Sequence, residues 1–109
     1  MNTKRTTRSG AEPLARLEAA GRGWQVIGDV NFSSVPVLLS QARNLLKFCC
    51  DLNIDMAKVD HADSAGLALL LEWMDISRAN GGAIRFRNVP ESLLNIARVS
   101  NVYRLLPLE

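Results

Sequence analysis

The 109 residues suffice for one domain built around a single core. With 48% hydrophobic and 22% charged residues the balance is that of a globular chain, and no apolar run approaches the roughly 20 residues of a membrane span. The net charge of +2 is gathered in Lys4, Arg5 and Arg8, so the body is nearly balanced and is not a basic nucleic-acid platform.

Residues 1–11 read as a basic, disordered leader, rich in Thr, Ser and Arg and without periodicity, ahead of one domain over residues 12–109. No apolar stretch follows the basic residues, so the leader is not a secretory signal and the chain is expected to stay in the cytoplasm. Such a tail can touch acidic lipid or nucleic acid, but a solvated tail accounts for it without a partner.

Two extended runs, Leu14 to Ala20 and Trp24 to Phe32, flank Gly21-Arg22-Gly23 and predict a hairpin. In the second run Trp24, Val26 and Val30 share one side, with Gly28 marking a bulge or close approach. Ser33-Ser34 then offers helix caps, and Pro36 is tolerated in a first turn. Val35, Leu38, Leu39, Ala42, Leu45 and Leu46 recur at helical spacing, an amphipathic helix with one buried stripe. Cys49 and Cys50 are neighbours, a spacing unsuited to a disulfide, and with His61 the sole histidine no closed zinc site can be built from Cys and His. Packed, reduced thiols fit that pattern.

Leu52, Ile54 and Met56 alternate with Asn53 and Asp55 and predict a strand, followed by a connection from Lys58 to Ala62. Asp63-Ser64-Ala65-Gly66 then opens a helix that runs to Asn80, with Gly81-Gly82 as its stop. Asp63 or Ser64 can cap it, because a short side-chain oxygen accepts from the free N–H groups of the first turn. Gly66 inside that turn costs roughly 1 kcal/mol relative to Ala, which points to a close approach to the backbone. Ile84 and Phe86 alternate with Arg85 and Arg87 in another strand, Val89-Pro90-Glu91-Ser92 starts a further helix with Leu93, Leu94 and Ala97, and Val102 to Leu108 closes the core. Strands alternating with helices predict an α/β fold: a mixed, largely parallel sheet with an antiparallel N-terminal strand, covered by helices.

Few constellations carry chemistry. His61 lies three residues before Ser64, which permits a Ser–His–Asp reading on paper only, since a triad is recognised by geometry. Asp55, Asp60 and Asp63 can gather a hard cation in principle, though carboxylates around a turn more often serve as caps or stay solvated. Arg78, Arg85 and Arg87 lack the interleaved aromatics of a base-stacking surface. Neither catalysis, nor a cofactor or metal, nor nucleic-acid binding is therefore expected. The helix from Ser64 is more telling. Leu67, Leu69, Leu70, Leu71, Trp73, Met74 and Ile76 spread over an arc of roughly 240°, where one core face uses little more than 100°. Neighbouring helices or a partner protein must cover the excess. Trp73, toward one side of the arc, is the expected interface anchor.

The run Ile54-Asp55-Met56-Ala57-Lys58-Val59, followed by Asp63-Ser64-Ala65-Gly66-Leu67-Ala68-Leu69-Leu70, resembles the core signature of STAS domains. In that family a strand ending in Asp-Leu, a valine and a short connection precede Asp-Ser/Thr-x-Gly at a helix start; Met56 stands here for the leucine. The resemblance spans residues 12–109, including Ala79-Asn80-Gly81-Gly82 and Asn88-Val89-Pro90-Glu91-Ser92. It implies a non-catalytic binding domain, in one of two branches. In the MlaB-type branch the domain is a cytoplasmic subunit bound to the ATPase of a phospholipid-transporting ABC system that maintains outer-membrane lipid asymmetry, so that it reaches the inner membrane only through its partner. In the other, anti-sigma factor antagonists, a partner kinase phosphorylates the serine matching Ser64. The run from Ala65 to Trp73 and the continuation Pro90 to Leu94 resemble the transporter branch more, and antagonists often carry a second hydroxyl residue where this chain has Ala65. The expected contact consists of Asp63, Ser64, Ala65 and Gly66, with Leu67, Leu71 and Trp73 supplying apolar area.

Overall fold

The structure, a computed structural model, describes residues 15–21, 23–46 and 51–109. Cys49, Cys50 and the leader lie outside the described residues. Among the described residues four strands form one sheet in the order β1 (Ala15–Ala20), β2 (Gly23–Val30), β3 (Leu52–Ala62), β4 (Ile84–Arg87). β1 runs antiparallel to β2 through the hairpin, and β2, β3 and β4 are parallel. The crossovers are α1 (Val35–Leu46) and α2 (Ser64–Ala79), and α3 (Glu91–Val99) follows β4. This is the mixed, helix-covered α/β sheet that the alternating pattern predicts.

One face of the sheet carries Leu17, Val26, Val30, Leu52, Ile54, Met56, Ile84 and Phe86, all buried with Leu38 and Ala42 of α1, Leu69, Leu70 and Trp73 of α2, and Leu93 and Ala97 of α3. Successive strand residues point to opposite faces, so the other face carries Arg16, Glu18, Asn53, Asp55, Arg85 and Arg87. Both edges of the sheet are occupied. The Leu17 N–H on β1 donates to Oε1 of Gln41 on α1 at 3.0 Å. Beyond a 3-10 turn at Tyr103–Leu105, Leu108 bridges in parallel to Phe86, with Phe86 N–H donating to the Pro107 carbonyl and Glu109 N–H to the Phe86 carbonyl. The side chain and the terminal segment take up hydrogen-bonding groups that would otherwise template another strand.

One expected boundary is wrong. The segment Lys58–Ala62, read as a connection, is the second half of β3. Gln25 pairs with Asp55, Ile27 with Lys58, Gly28 with Val59 and Val30 with Ala62, so β3 holds two extra residues against β2. Each bulge breaks the period of two on which a strand is recognised, and β4 is too short to cover this half, which leaves Ala57, Lys58, Asp60 and His61 exposed. Gly28 sits between the two irregularities with φ at 106°, a conformation that L side chains rarely adopt.

The second run also ends earlier than its apolar content suggests. After Val30 the chain makes a turn in which Asn31 Oδ1 accepts from the Ser33 and Ser34 N–H groups at 2.9 and 3.1 Å. The buried Ser34 hydroxyl accepts from the Asn31 N–H and donates to the Asp29 carbonyl at 2.8 Å. These bonds rotate Phe32 away from the core; it is 85% exposed.

Candidate functional site

Two strand-to-helix connections meet at one end of the sheet. The Asp63 N–H donates to the Val30 carbonyl at 3.3 Å, which ties the entry of α2 to the end of β2. Asp63 caps the helix: its Oδ1 accepts from the Ala65 N–H at 2.9 Å. Its carbonyl accepts from the Gly66 N–H at 2.9 Å. Ser64 is therefore the first helical residue and not the cap. It is exposed, and its hydroxyl forms no hydrogen bond among the described residues. A hydroxyl at this position keeps its oxygen for an outside group, beside backbone N–H groups that favour an anion.

Gly66 has an internal reason. A Cβ built there would lie 3.2 Å from Cδ2 of Leu93 and 3.2 Å from Cγ1 of Val30. The glycine lets α2 settle between β2 and α3, so the close approach inferred from sequence is made by the protein's own core.

The expected contact residues therefore divide. Asp63 and Ser64 are exposed, and Ala65 and Leu71 are half-buried. Gly66 and Leu67 are buried, and Trp73 is fully enclosed, stacked against Phe86 at 6.4 Å between ring centroids. Trp73 cannot anchor a partner in this fold, because its ring already fills the space between α2 and β4. The wide apolar arc of α2 has the same explanation: α1 and α3 flank the helix, and Leu71, Met74 and Ile76 pack against the core from its sides. What α2 shows to solvent is Ser64, Ala68, Glu72, Asp75, Arg78 and Ala79.

Features at this end that pattern reading missed are exposed apolar side chains. Phe32 lies two residues beyond Val30, and Val37, 44% exposed, sits in the first turn of α1. The strand-like run leading to Phe32 concealed it; only the Asn31–Ser34 bonds expose it.

The other constellations are not assembled. His61 pairs with Asp29 on the neighbouring strand, Nδ1 to Oδ1 at 3.4 Å, and makes no hydrogen bond to Ser64. Asp55 accepts from Asn88 Nδ2 at 3.0 Å and from the Ala57 N–H at 2.9 Å, and pairs with Arg87 at 3.2 Å. The Asn88 bond first, then the Ala57 N–H and the Arg87 guanidinium, hold its carboxyl below the usual range, against an opposing effect of partial burial. Asp55 thus fastens β3 to the turn after β4, where Asn88 adopts φ of 57°. Asp63 is committed to the cap, and no group of three His, Cys, Asp or Glu residues among the described residues is poised to hold a metal ion. Arg78 pairs with Asp75 and Arg87 with Asp55, so two of the three arginines already have a carboxylate partner. Among the described residues no helix is long and apolar enough to cross a membrane.

The chain is similar to the anti-sigma-B factor antagonist of Bacillus subtilis, with 23% identity over 83 residues that cover 76% of each protein. Its fold resembles the anti-sigma factor antagonist SpoIIAA in its unphosphorylated form, at TM-score 0.67 and 15% identity over 87% of both chains. It also resembles an anti-sigma factor antagonist from Mycobacterium paratuberculosis, at TM-score 0.69 and 16% identity over 94% of this chain and 89% of that one. A family model described as "Mlab, STAS domain" matches residues 14–107. With that match over nearly all of the sheet and helices described above, the chain belongs to the STAS domain family.

Proposed function

We propose that the chain is a protein-binding STAS module of the anti-sigma factor antagonist type, switched by phosphorylation of Ser64. The partner is a serine kinase that doubles as an anti-sigma factor. The observation that carries the reading is the free, exposed Ser64 hydroxyl at the first position of α2, left available because Asp63 provides the cap. The antagonist names of the B. subtilis relative and of the structural neighbours support it. Transfer of a γ-phosphoryl group from ATP to Ser64 Oγ would release ADP and the hydroxyl proton. It would add about −1.5 to −2 charge at neutral pH. The N–H groups of the first turn favour that charge and the Asp63 carboxylate opposes it, so the phosphate stays on the surface and changes the binding face rather than the fold. This weighting reverses the preference that the sequence signature suggests.

A second reading keeps one specific support. The matching family model carries the Mlab description, and Ala65 stands where antagonists often have a second hydroxyl residue. On this reading the same face binds the ATPase of a phospholipid-transporting ABC system, Ser64 stays unmodified, and the domain favours the assembled ATPase by binding that state selectively. Both readings make the chain a cytoplasmic binding subunit, and only the second brings it to the inner membrane, through its partner.

The test is incubation with the serine kinase anti-sigma factor of the same genome and ATP, followed by peptide mass spectrometry. A phosphoryl group on Ser64, absent in Ser64→Ala, and loss of kinase binding in Ser64→Glu but not Ser64→Ala are the expected outcomes. Co-purification of an ABC ATPase and permease with unmodified chain would establish the transporter reading instead.

A further inference from the structure

We infer that Phe32 is the apolar anchor of the partner-binding face, and that the partner receives it in an apolar pocket edged by basic side chains. The inference rests on the proposal that the Ser64 end of the molecule binds a protein, and it names the chemistry of the surface opposite.

Phe32 is 85% exposed on a chain that buries Phe86 and Trp73 completely. Its exposure is built in. Asn31 Oδ1 holds two successive N–H groups, the Ser34 hydroxyl bonds to both the Asn31 N–H and the Asp29 carbonyl, and the Val35 N–H donates to the Asn31 carbonyl at 3.0 Å. A turn fixed at that many points holds the Phe32 backbone in place, so binding has only the two side-chain torsions of the ring to order, a small cost for the area an aromatic residue offers. Val37 extends the apolar area into the first turn of α1. The bond from the Asp63 N–H to the Val30 carbonyl, with Val30 paired to Ala62, sets this turn beside the Ser64 turn.

The surroundings select the occupant. Asp29, Asp60 and Asp63 lie at the same end of β2 and β3, with His61 paired to Asp29. Lys58 and Arg87 sit farther back along their strands, and Arg87 is already paired with Asp55. Carboxylates at the same end of the sheet as an exposed aromatic ring disfavour an anionic membrane and a nucleic acid. It also disfavours a second copy of this chain, since a two-fold contact on this patch would oppose like charges. A protein with a basic-edged apolar pocket is the complementary surface. A phosphate on Ser64 would add negative charge at the same end, so it would displace this partner by bulk and by the cost of desolvating the phosphate where α2 begins, not by charge repulsion.

The experiment is calorimetric titration of the full chain against the purified anti-sigma factor kinase from the same genome, at about 50 and 300 mM salt. Phe32→Ala is expected to weaken binding about 30-fold. Asp60→Lys is expected to weaken it several-fold and to flatten its salt dependence. Val99→Ala, on an equally exposed apolar residue of α3, is expected to bind as wild type. Unchanged melting curves exclude misfolding. Wild-type affinity in Phe32→Ala together with loss in Ser64→Glu overturns the anchor and leaves the proposed function standing. If the wild-type chain does not bind the kinase, that function fails. The same series against the ABC ATPase then decides the anchor: loss in Phe32→Ala supports it, and retention overturns it. A chain that binds neither protein overturns both.

Discussion

Gly66→Ala sets two effects of opposite sign against each other. Alanine should strengthen α2 by about 1 kcal/mol, because glycine is the poorer helix former. The added Cβ, however, would stand 3.2 Å from Leu93 Cδ2, 3.2 Å from Val30 Cγ1 and 3.5 Å from Leu93 Cδ1. The first two separations are tighter than ordinary carbon contacts, so both neighbours must give by a few tenths of an ångström. Leu93 and Val30 are both 0% exposed and cannot swing into solvent. Overpacking of this kind costs about 1–3 kcal/mol, so the single substitution should lose about 1 kcal/mol net. In a domain this size that is a fall of roughly 4–8 °C in melting temperature. The diagnostic assay is a double-mutant cycle by urea unfolding. Leu93→Ala alone should lose about 2–5 kcal/mol by leaving a cavity. In that background two of the three contacts are gone, and Gly66→Ala should become neutral or stabilising, a favourable coupling of at least about 1 kcal/mol. Strict additivity, or a stabilising effect of Gly66→Ala in the wild type, would refute the assignment of Gly66 to internal packing and return it to the partner face.

Asp63→Ala should cost about 1 kcal/mol in thermal unfolding through loss of the cap, and Asp63→Ser should recover most of it; equal losses would mean that the carboxylate acts otherwise. Trp73 Nε1 is buried with no acceptor among the described residues. Trp73→Phe keeps a ring beside Phe86 and removes that donor, so urea unfolding followed by circular dichroism should show a loss under about 1.5 kcal/mol, against about 3–5 for Trp73→Ala; similar losses would contradict this. Asp55 titrates below its unfolded value of about 3.9, so its folded state binds fewer protons there. Its stabilisation is complete above about pH 5 and is lost as pH falls through the folded value. Asp55→Asn should therefore cost about 1 kcal/mol at pH 7 and flatten the acid limb of the melting curve, whereas an acid limb parallel to wild type would exclude this role.

By itself the sequence determined the element order and the face of most elements. Period-two alternation at Leu52–Met56 and Ile84–Phe86, helical spacing from Val35, and Gly81-Gly82 after the long helix are local signals, and local sterics and hydrogen bonding act on them directly. The Asp63–Gly66 motif likewise marked the end of the sheet where Ser64 stands. Three matters were decided only by tertiary structure. The second half of β3 exists because β2 is there to pair with it, across two bulges that erase its own period. The broad apolar arc of α2 is satisfied inside the fold, because α1 and α3 flank it and Trp73 meets Phe86. Periodicity records how much of a helix is apolar; it cannot record which neighbours arrive to cover it. Phe32 is the converse case, apolar in a strand-like run yet turned into solvent, because hydrogen bonds at Asn31 and Ser34 outweigh the burial of one ring.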